Sequence, residues 1–152
     1  MSVRTSSWTV LAARLLVSCL FLLSGFHKLG NLDQTASWIS SAGLPGAAAL
    51  ALAAAIVEIV GGVSVLLGFG TRASDALLAL FLVPTTLVFH DFWSFTGSEQ
   101  QLQMIQFLKN LAIGGGLLYM VVHGAGALSL DSWLTKQNRF PPWWPRSLSP
   151  AS

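Results

Sequence analysis

Long apolar runs alternate with short polar breaks along this chain, and the length of the runs decides what they are. A helix needs about 20 mostly apolar residues to cross a bilayer. The stretches from about Trp8 to Leu29, Gly46 to Leu67, Ala73 to Phe92 and Leu102 to His123 each reach that length. The first connector, Gly30 to Pro45, predicts a short interfacial helix over Asp33 to Ser41, with Trp38 and Ile39 at headgroup level. Pro45 suits the start of the next helix. Gly68 and Gly70 supply the backbone freedom for a tight turn reaching Arg72. Pro84 predicts a kink in the third span, and Ser94 to Gln101 reads as a polar loop.

Short connectors between four spans favour an antiparallel bundle, and no alternating β-barrel pattern is present. The fold expected is therefore an all-α membrane protein, a four-helix antiparallel transmembrane bundle. Residues 1–135 form the four-helix domain. Residues 136–152 form a Pro/Trp-rich tail, interfacial or extended, ending in the aromatic stretch Phe140 to Pro145.

Composition sharpens this picture. Only 9% of the residues are charged and 53% are hydrophobic, against about 25% charged in an ordinary soluble domain. The net charge of +2 is scattered, with no basic cluster to bind nucleic acid. The lipid bilayer is the partner that composition implies. Arg4, Arg14, Arg72, Lys136, Arg139 and Arg146 fall at the N-terminus, the second connector and the tail, which places both termini in the cytoplasm. Leu16 to Cys19 looks like a lipoprotein cleavage box, but Arg14 interrupts the apolar core upstream and the run continues to Phe26, so the first helix is expected to be retained.

Ionisable groups inside a span cost about 2.5–3.5 kcal/mol on insertion scales and therefore usually face protein. Glu58 is the deepest, near the midplane, on one helical face with Gly61, Gly62 and Val65. It reads as a proton-handling or ligand-anchoring carboxylate, or as half of a structural ion pair. The fourth span sets Gln103, Gln106, Lys109, Asn110 and Gly114 along one arc, which must face protein or a water-filled cavity. Lys109 or Arg14 is the candidate partner for Glu58. Arg14 and Lys28, near the two ends of the first span, read more simply as snorkelling side chains.

At the outer end of the third span stand His90, Asp91 and Trp93, with His27 and Lys28 on the same side. An apolar pocket with a few polar anchors, the usual composition of a small-molecule site, is expected there. No dense His/Cys/acid spacing supports a metal centre. The lone Cys19 forms no internal disulfide. Gly61, Gly62 and Gly114 to Gly116 lie within spans, where close helix packing explains them.

Four stretches carry a family resemblance: Leu20 to Leu29, Glu58 to Gly62 leading into Leu67 to Arg72, Phe89 to Trp93, and Gln106 to Ala112 followed by glycines. In order and spacing they resemble the DoxX family of small bacterial membrane proteins, over nearly all of the chain up to about Met120. The resemblance implies a four-helix protein of the bacterial inner membrane, in a family linked to quinol oxidation, thiosulfate:quinone oxidoreduction and detoxification of quinone-like compounds. The residues it marks are Lys28, Glu58, Gly61, Gly62, Arg72, His90, Trp93, Lys109 and Asn110, without naming a reaction.

The function expected is an accessory membrane subunit of a quinone-linked redox system, or a binder of quinone-like lipophilic molecules. In this reading Glu58 and Lys109 form a buried charge pair, with Lys28, Arg72, Gln106 and Asn110 in the buried polar site. His90 and Trp93 shape a pocket for a bound quinone. No electron-carrying cofactor site of the chain's own is identified, so electrons would come from a redox partner. The rival reading is a scaffold that packs against a larger membrane complex. A small-solute transporter is a third, disfavoured by the short chain and the lack of an inverted repeat.

Overall fold

The computed structural model describes residues 3–137. Six helices make up nearly all of it: α1 (Val3–Gly30), α2 (Leu32–Ser41), α3 (Ala47–Leu67), α4 (Thr71–Phe89), α5 (Gly97–His123) and α6 (Leu130–Lys136), with a single 3₁₀ turn at Phe92–Ser94 between α4 and α5. Four of them, α1, α3, α4 and α5, are long and apolar enough to cross a membrane. No strand occurs among the described residues. The turns behave as their glycines require. Gly68 and Gly70 both adopt left-handed backbone, φ +66° and +57°, which closes α3 and opens α4 within three residues.

Burial is inverted relative to a soluble protein. Leu16, Leu23, Leu80, Leu118 and Val122 lie mostly exposed, while Arg14, Ser18, Glu58, Asp75 and Asn110 are buried. An exterior this apolar is suited to acyl chains, and the polar groups are kept where protein can satisfy them. Phe21, Val65, Leu78, Leu82, Leu117 and Met120 form one apolar core contributed by all four spans, toward the end of the bundle that carries α6.

Small residues set how closely the helices approach. A Cβ on Gly25 would stand 2.7 Å from the Ile59 side chain and 3.1 Å from the Ala55 carbonyl oxygen. At Gly62 the neighbour is Leu22, and at Gly61 it is Leu78, 2.7 Å away. The first two positions let α1 lie along α3, and Gly61 seats α3 on α4.

Several boundaries differ from the sequence expectation. The fourth span begins at Gly97 rather than Leu102, because Ser98 to Gln101 continue the helix instead of forming a loop. Glu99 sits in its first turn, where the helix dipole favours an acid. Pro84 lies inside α4, which continues through it. The α2 segment is helical as expected, but it packs along α3 and buries Thr35 and Ile39. Ten residues of α2 span about 15 Å, close to the roughly 16 Å from Ala47 to Glu58 along α3. The first span therefore ends level with the middle of α3, and α2 covers the rest. The short helix α6 was not anticipated, and the aromatic stretch Phe140 to Pro145 lies outside the described residues.

Candidate functional site

Glu58 is 4% exposed, and its partner is Lys28. The Lys28 ammonium donates to Glu58 Oε1 at 2.9 Å, to Glu58 Oε2 at 2.8 Å and to Ser24 Oγ at 2.6 Å, which engages all three of its N–H bonds. The expected pair of Glu58 with Lys109 does not form. Lys109 lies exposed on α5. The snorkelling reading of Lys28 fails for a geometric reason: Gly25 draws the end of α1 against Ala55 and Glu58, so the lysine stem arrives at the carboxylate's depth.

Arg14 is likewise not a snorkelling residue. It is 1% exposed. Its Nε donates to the Val65 carbonyl oxygen at 2.8 Å and its Nη2 to that of Leu66 at 2.6 Å. Its Nη1 donates to the carbonyl oxygens of Ala125 at 3.1 Å and Leu128 at 2.6 Å. Four of five guanidinium donors thus satisfy carbonyls at the end of α3 and in the segment after α5. Asp131, on α6, accepts from the backbone N–H of Gly70 at 2.8 Å and of Thr71 at 3.0 Å. Gly70 has no side chain to cap α4, so an acid from a distant segment does it, at the positive end of the helix dipole. Asp75 is fully buried close by, and neither of its carboxyl oxygens has a hydrogen-bond partner among the described residues. Sequence reasoning overlooked Asp75 and Asp131. The signal for Asp131 was a helix opening at Gly70 with no capping side chain of its own.

At the other end of the bundle, where α2 lies, a cavity of about 570 Å³ opens between the helices. Its walls are Trp38, Ile39, Leu44, Leu50 and Ala54 on one side and Phe81, Pro84, Val88 and Phe89 on the other. Polar groups enter at Lys28, Thr35, Thr85, His90 and Gln103. His90 Nδ1 and Gln103 Oε1 are 2.9 Å apart, while Gln103 Nε2 donates to Glu99 Oε1 at 3.4 Å. With the amide so oriented, Nδ1 is the donor and Nε2 of a neutral ring keeps its lone pair.

The remaining sequence candidates disperse. Trp93 does not line the cavity; it is 56% exposed and packs edge-on against Phe92 and Phe107, at ring-centroid separations of 5.2 and 6.0 Å. Asn110 is buried and donates to Thr86 Oγ1 at 3.1 Å, which ties α5 to α4. Gln106 is half-buried. Arg72 reaches the Val122 carbonyl oxygen at 3.3 Å, at the α6 end. The polar arc of the fourth span is therefore split between a buried amide and an outward lysine. Among the described residues the glycines at 114 to 116 are not packing positions either, since a Cβ at any of them meets nothing within 4 Å. No group of three or more His, Cys, Asp or Glu side chains that could hold a metal converges among the described residues.

Comparison with known proteins agrees with the fold. The DoxX family model matches residues 9–91. The chain is 34% identical to the inner membrane protein YphA of Escherichia coli, covering 80% of this chain and 87% of that protein. It is 32% identical to the inner membrane protein YqjF of the same organism, covering 84% and 93%. It is also 34% identical to CatD of Bacillus subtilis, whose name marks it as a candidate oxidoreductase, over 48% of this chain and 53% of that protein. No solved structure matches the chain significantly. With four membrane-crossing helices, a family match over more than half its length and near full-length likeness to two inner membrane proteins, the chain belongs to the DoxX family.

Proposed function

We propose that the cavity beside α2 binds a neutral, lipophilic carbonyl compound of the quinone and quinol class, and that the chain serves as an accessory membrane subunit whose electrons come from a redox partner. The cavity itself carries this reading: about 570 Å³ of largely apolar space with an ammonium at one edge and a histidine at another. That volume falls in the usual range for small-molecule sites. Phe81, Phe89 and Trp38 offer ring contacts to a flat head group. The Lys28 ammonium, now shared with both Glu58 oxygens, can turn one proton toward a ligand carbonyl while the other oxygen keeps its bond. The His90 Nε2 lone pair suits the hydroxyl of a quinol. Because Lys28 and Glu58 neutralise each other, the cavity favours an uncharged guest over an anion. The likeness to CatD supports a redox setting, and the inner membrane relatives support the same membrane for this chain. Both termini then face the cytoplasm, in keeping with Arg72 and Lys136 at the α6 end.

Tryptophan fluorescence tests the assignment, since Trp38 lines the cavity. Titration of the detergent-purified chain with a short-chain naphthoquinone should quench a saturable fraction of the emission. Lys28→Met and His90→Phe should each weaken binding by about tenfold or more, the scale of one lost hydrogen bond to a charged or polar group. Lys109→Met should leave it unchanged. Quenching that never saturates, or that weakens with Lys109→Met alone, would refute the assignment.

A further inference from the structure

The polar groups that line the cavity do not all face it in the same sense. Thr35 donates its hydroxyl proton to the Asn31 carbonyl oxygen at 3.0 Å, and Thr85 donates to that of Phe81 at 2.8 Å. Both hydroxyl oxygens are left with lone pairs only. The Lys28 ammonium can only donate. His90 and Gln103 can each take either part, since a neutral imidazole and an amide hold one group of each kind. What these two present is therefore set by what holds them.

Their contacts lead out of the cavity. His90 Nδ1 lies 2.9 Å from Gln103 Oε1, and Gln103 Nε2 lies 3.4 Å from Glu99 Oε1. Glu99 is exposed in the first turn of α5, does not line the cavity, and stands one helical turn before Gln103 on the same face. A carboxylate only accepts, so Glu99 draws the amide N–H groups of Gln103 toward itself. The amide carbonyl then faces His90, the ring proton is held on Nδ1, and Nε2 is left as an acceptor. No protein group bonds to Nε2 among the described residues. With the amide turned over, the ring proton would sit on Nε2, and the cavity would gain a donor where it now has an acceptor.

We infer that Glu99 is a positioning residue: acting from outside the cavity through Gln103, it fixes the tautomer of His90, and with it whether that edge accepts a hydrogen bond from a guest's hydroxyl or gives one to a guest's carbonyl. In the native chain the edge accepts. The effect on ligand choice rests on the quinone and quinol reading above, whereas the tautomer is independent of it. Glu99→Lys reverses the sense, because an ammonium only donates and draws the Gln103 carbonyl toward position 99. A guest hydroxyl then loses its acceptor, and a guest carbonyl gains a donor.

Nitrogen NMR of the full chain in detergent, with isotope-labelled histidine, reads the tautomer without any ligand. Spectra are taken at about pH 8.5, well above the ordinary imidazole range, and His90→Phe identifies the His90 signals by their loss. The parent should carry the ring proton on Nδ1, Glu99→Lys should move it to Nε2, and Gln103→Leu should leave a mixture. Gln101→Lys brings the same charge to an exposed position on another side of α5 and should change nothing. Trp38 quenching by a short-chain naphthoquinone, and by its quinol under excess reductant, then gives the preference. Glu99→Lys should shift the affinity ratio about fivefold or more toward the quinone, the scale of one net hydrogen bond. A proton on Nε2 in the parent, or one that Glu99→Lys leaves in place, would overturn the inference. A ratio that stays fixed while the proton moves would overturn Glu99's part in ligand choice. A proton that moves while neither probe binds saturably would sustain the role of Glu99 and refute the assignment of the cavity.

Discussion

Replacing Glu58 by Gln keeps the shape of the side chain but removes its charge, leaving the Lys28 ammonium with Ser24 and an amide in place of a carboxylate. Breaking a buried ion pair from one side costs about 3–5 kcal/mol. The Lys28 side chain retains 24% exposure, so the cost falls at or just below the lower end, and we expect Glu58→Gln to destabilise the bundle by about 2–3 kcal/mol. Lys28→Met should cost a similar amount by stranding the carboxylate. The double variant Glu58→Gln/Lys28→Met removes both charges and should recover to within about 1 kcal/mol of the parent, since neutral replacements of a buried pair are often tolerated. The coupling between the two positions is then about 3 kcal/mol or more. Reversible unfolding in mixed detergent and SDS micelles reads these differences in a double-mutant cycle. The same cycle run on Glu58 and Lys109 should be additive within about 0.5 kcal/mol. Additivity at 28 and 58, or a stronger coupling of 58 to 109, would refute the pairing.

Four further expectations follow from the same contacts. Arg14→Gln should destabilise the chain by about 3 kcal/mol or more in the same assay, because it strands several buried carbonyl groups of Val65, Leu66, Ala125 and Leu128. Asp131→Asn should cost more than Asp75→Asn, since only Asp131 accepts hydrogen bonds from the start of α4. Gly25→Ala should cost about 1–3 kcal/mol by forcing α1 away from Ala55 and Ile59. Gly115→Ala in the isolated chain should instead be neutral or stabilising by up to about 1 kcal/mol, because no neighbour is displaced.

How much of this was readable from the sequence depends on which physical constraint governs each feature. The four spans were legible because a bilayer fixes a minimum apolar length, and the Gly68–Gly70 turn was legible because left-handed backbone selects glycine. The polar character of Glu58 was equally plain. Its partner was not, because pairing between helices depends on relative depth and rotation, which a one-dimensional pattern does not carry. Reading Ser94 to Gln101 as a loop placed the start of the fourth span five residues late, an error of about 7 Å along the axis. Lys28 was misjudged for a different reason. A lysine at a helix end looks like a snorkelling residue unless the end itself is sunk beside α3, and only the contacts of Gly25 reveal that.

His90 faces the cavity and Trp93 does not, although the two are only three residues apart. The helix ends at Phe89, and a 3₁₀ turn redirects the chain between them, so helical spacing no longer predicts a shared face. Asp131 illustrates the remaining gap. A cap supplied from a segment some sixty residues away is invisible to local patterns, though the missing cap at Gly70 was a sign that something must supply it.

The proposed ligand site is tested most directly by filling the cavity without touching its charges. Ala54 lines the wall and is half-buried, and Ala54→Trp adds bulk there while leaving Lys28, Glu58 and His90 intact. Native mass spectrometry of the chain purified in mild detergent should find a quinone or quinol bound to the parent at near one per chain. The folded Ala54→Trp variant should lack it. A parent carrying no such molecule, or a variant that retains it at the same occupancy, would contradict the account.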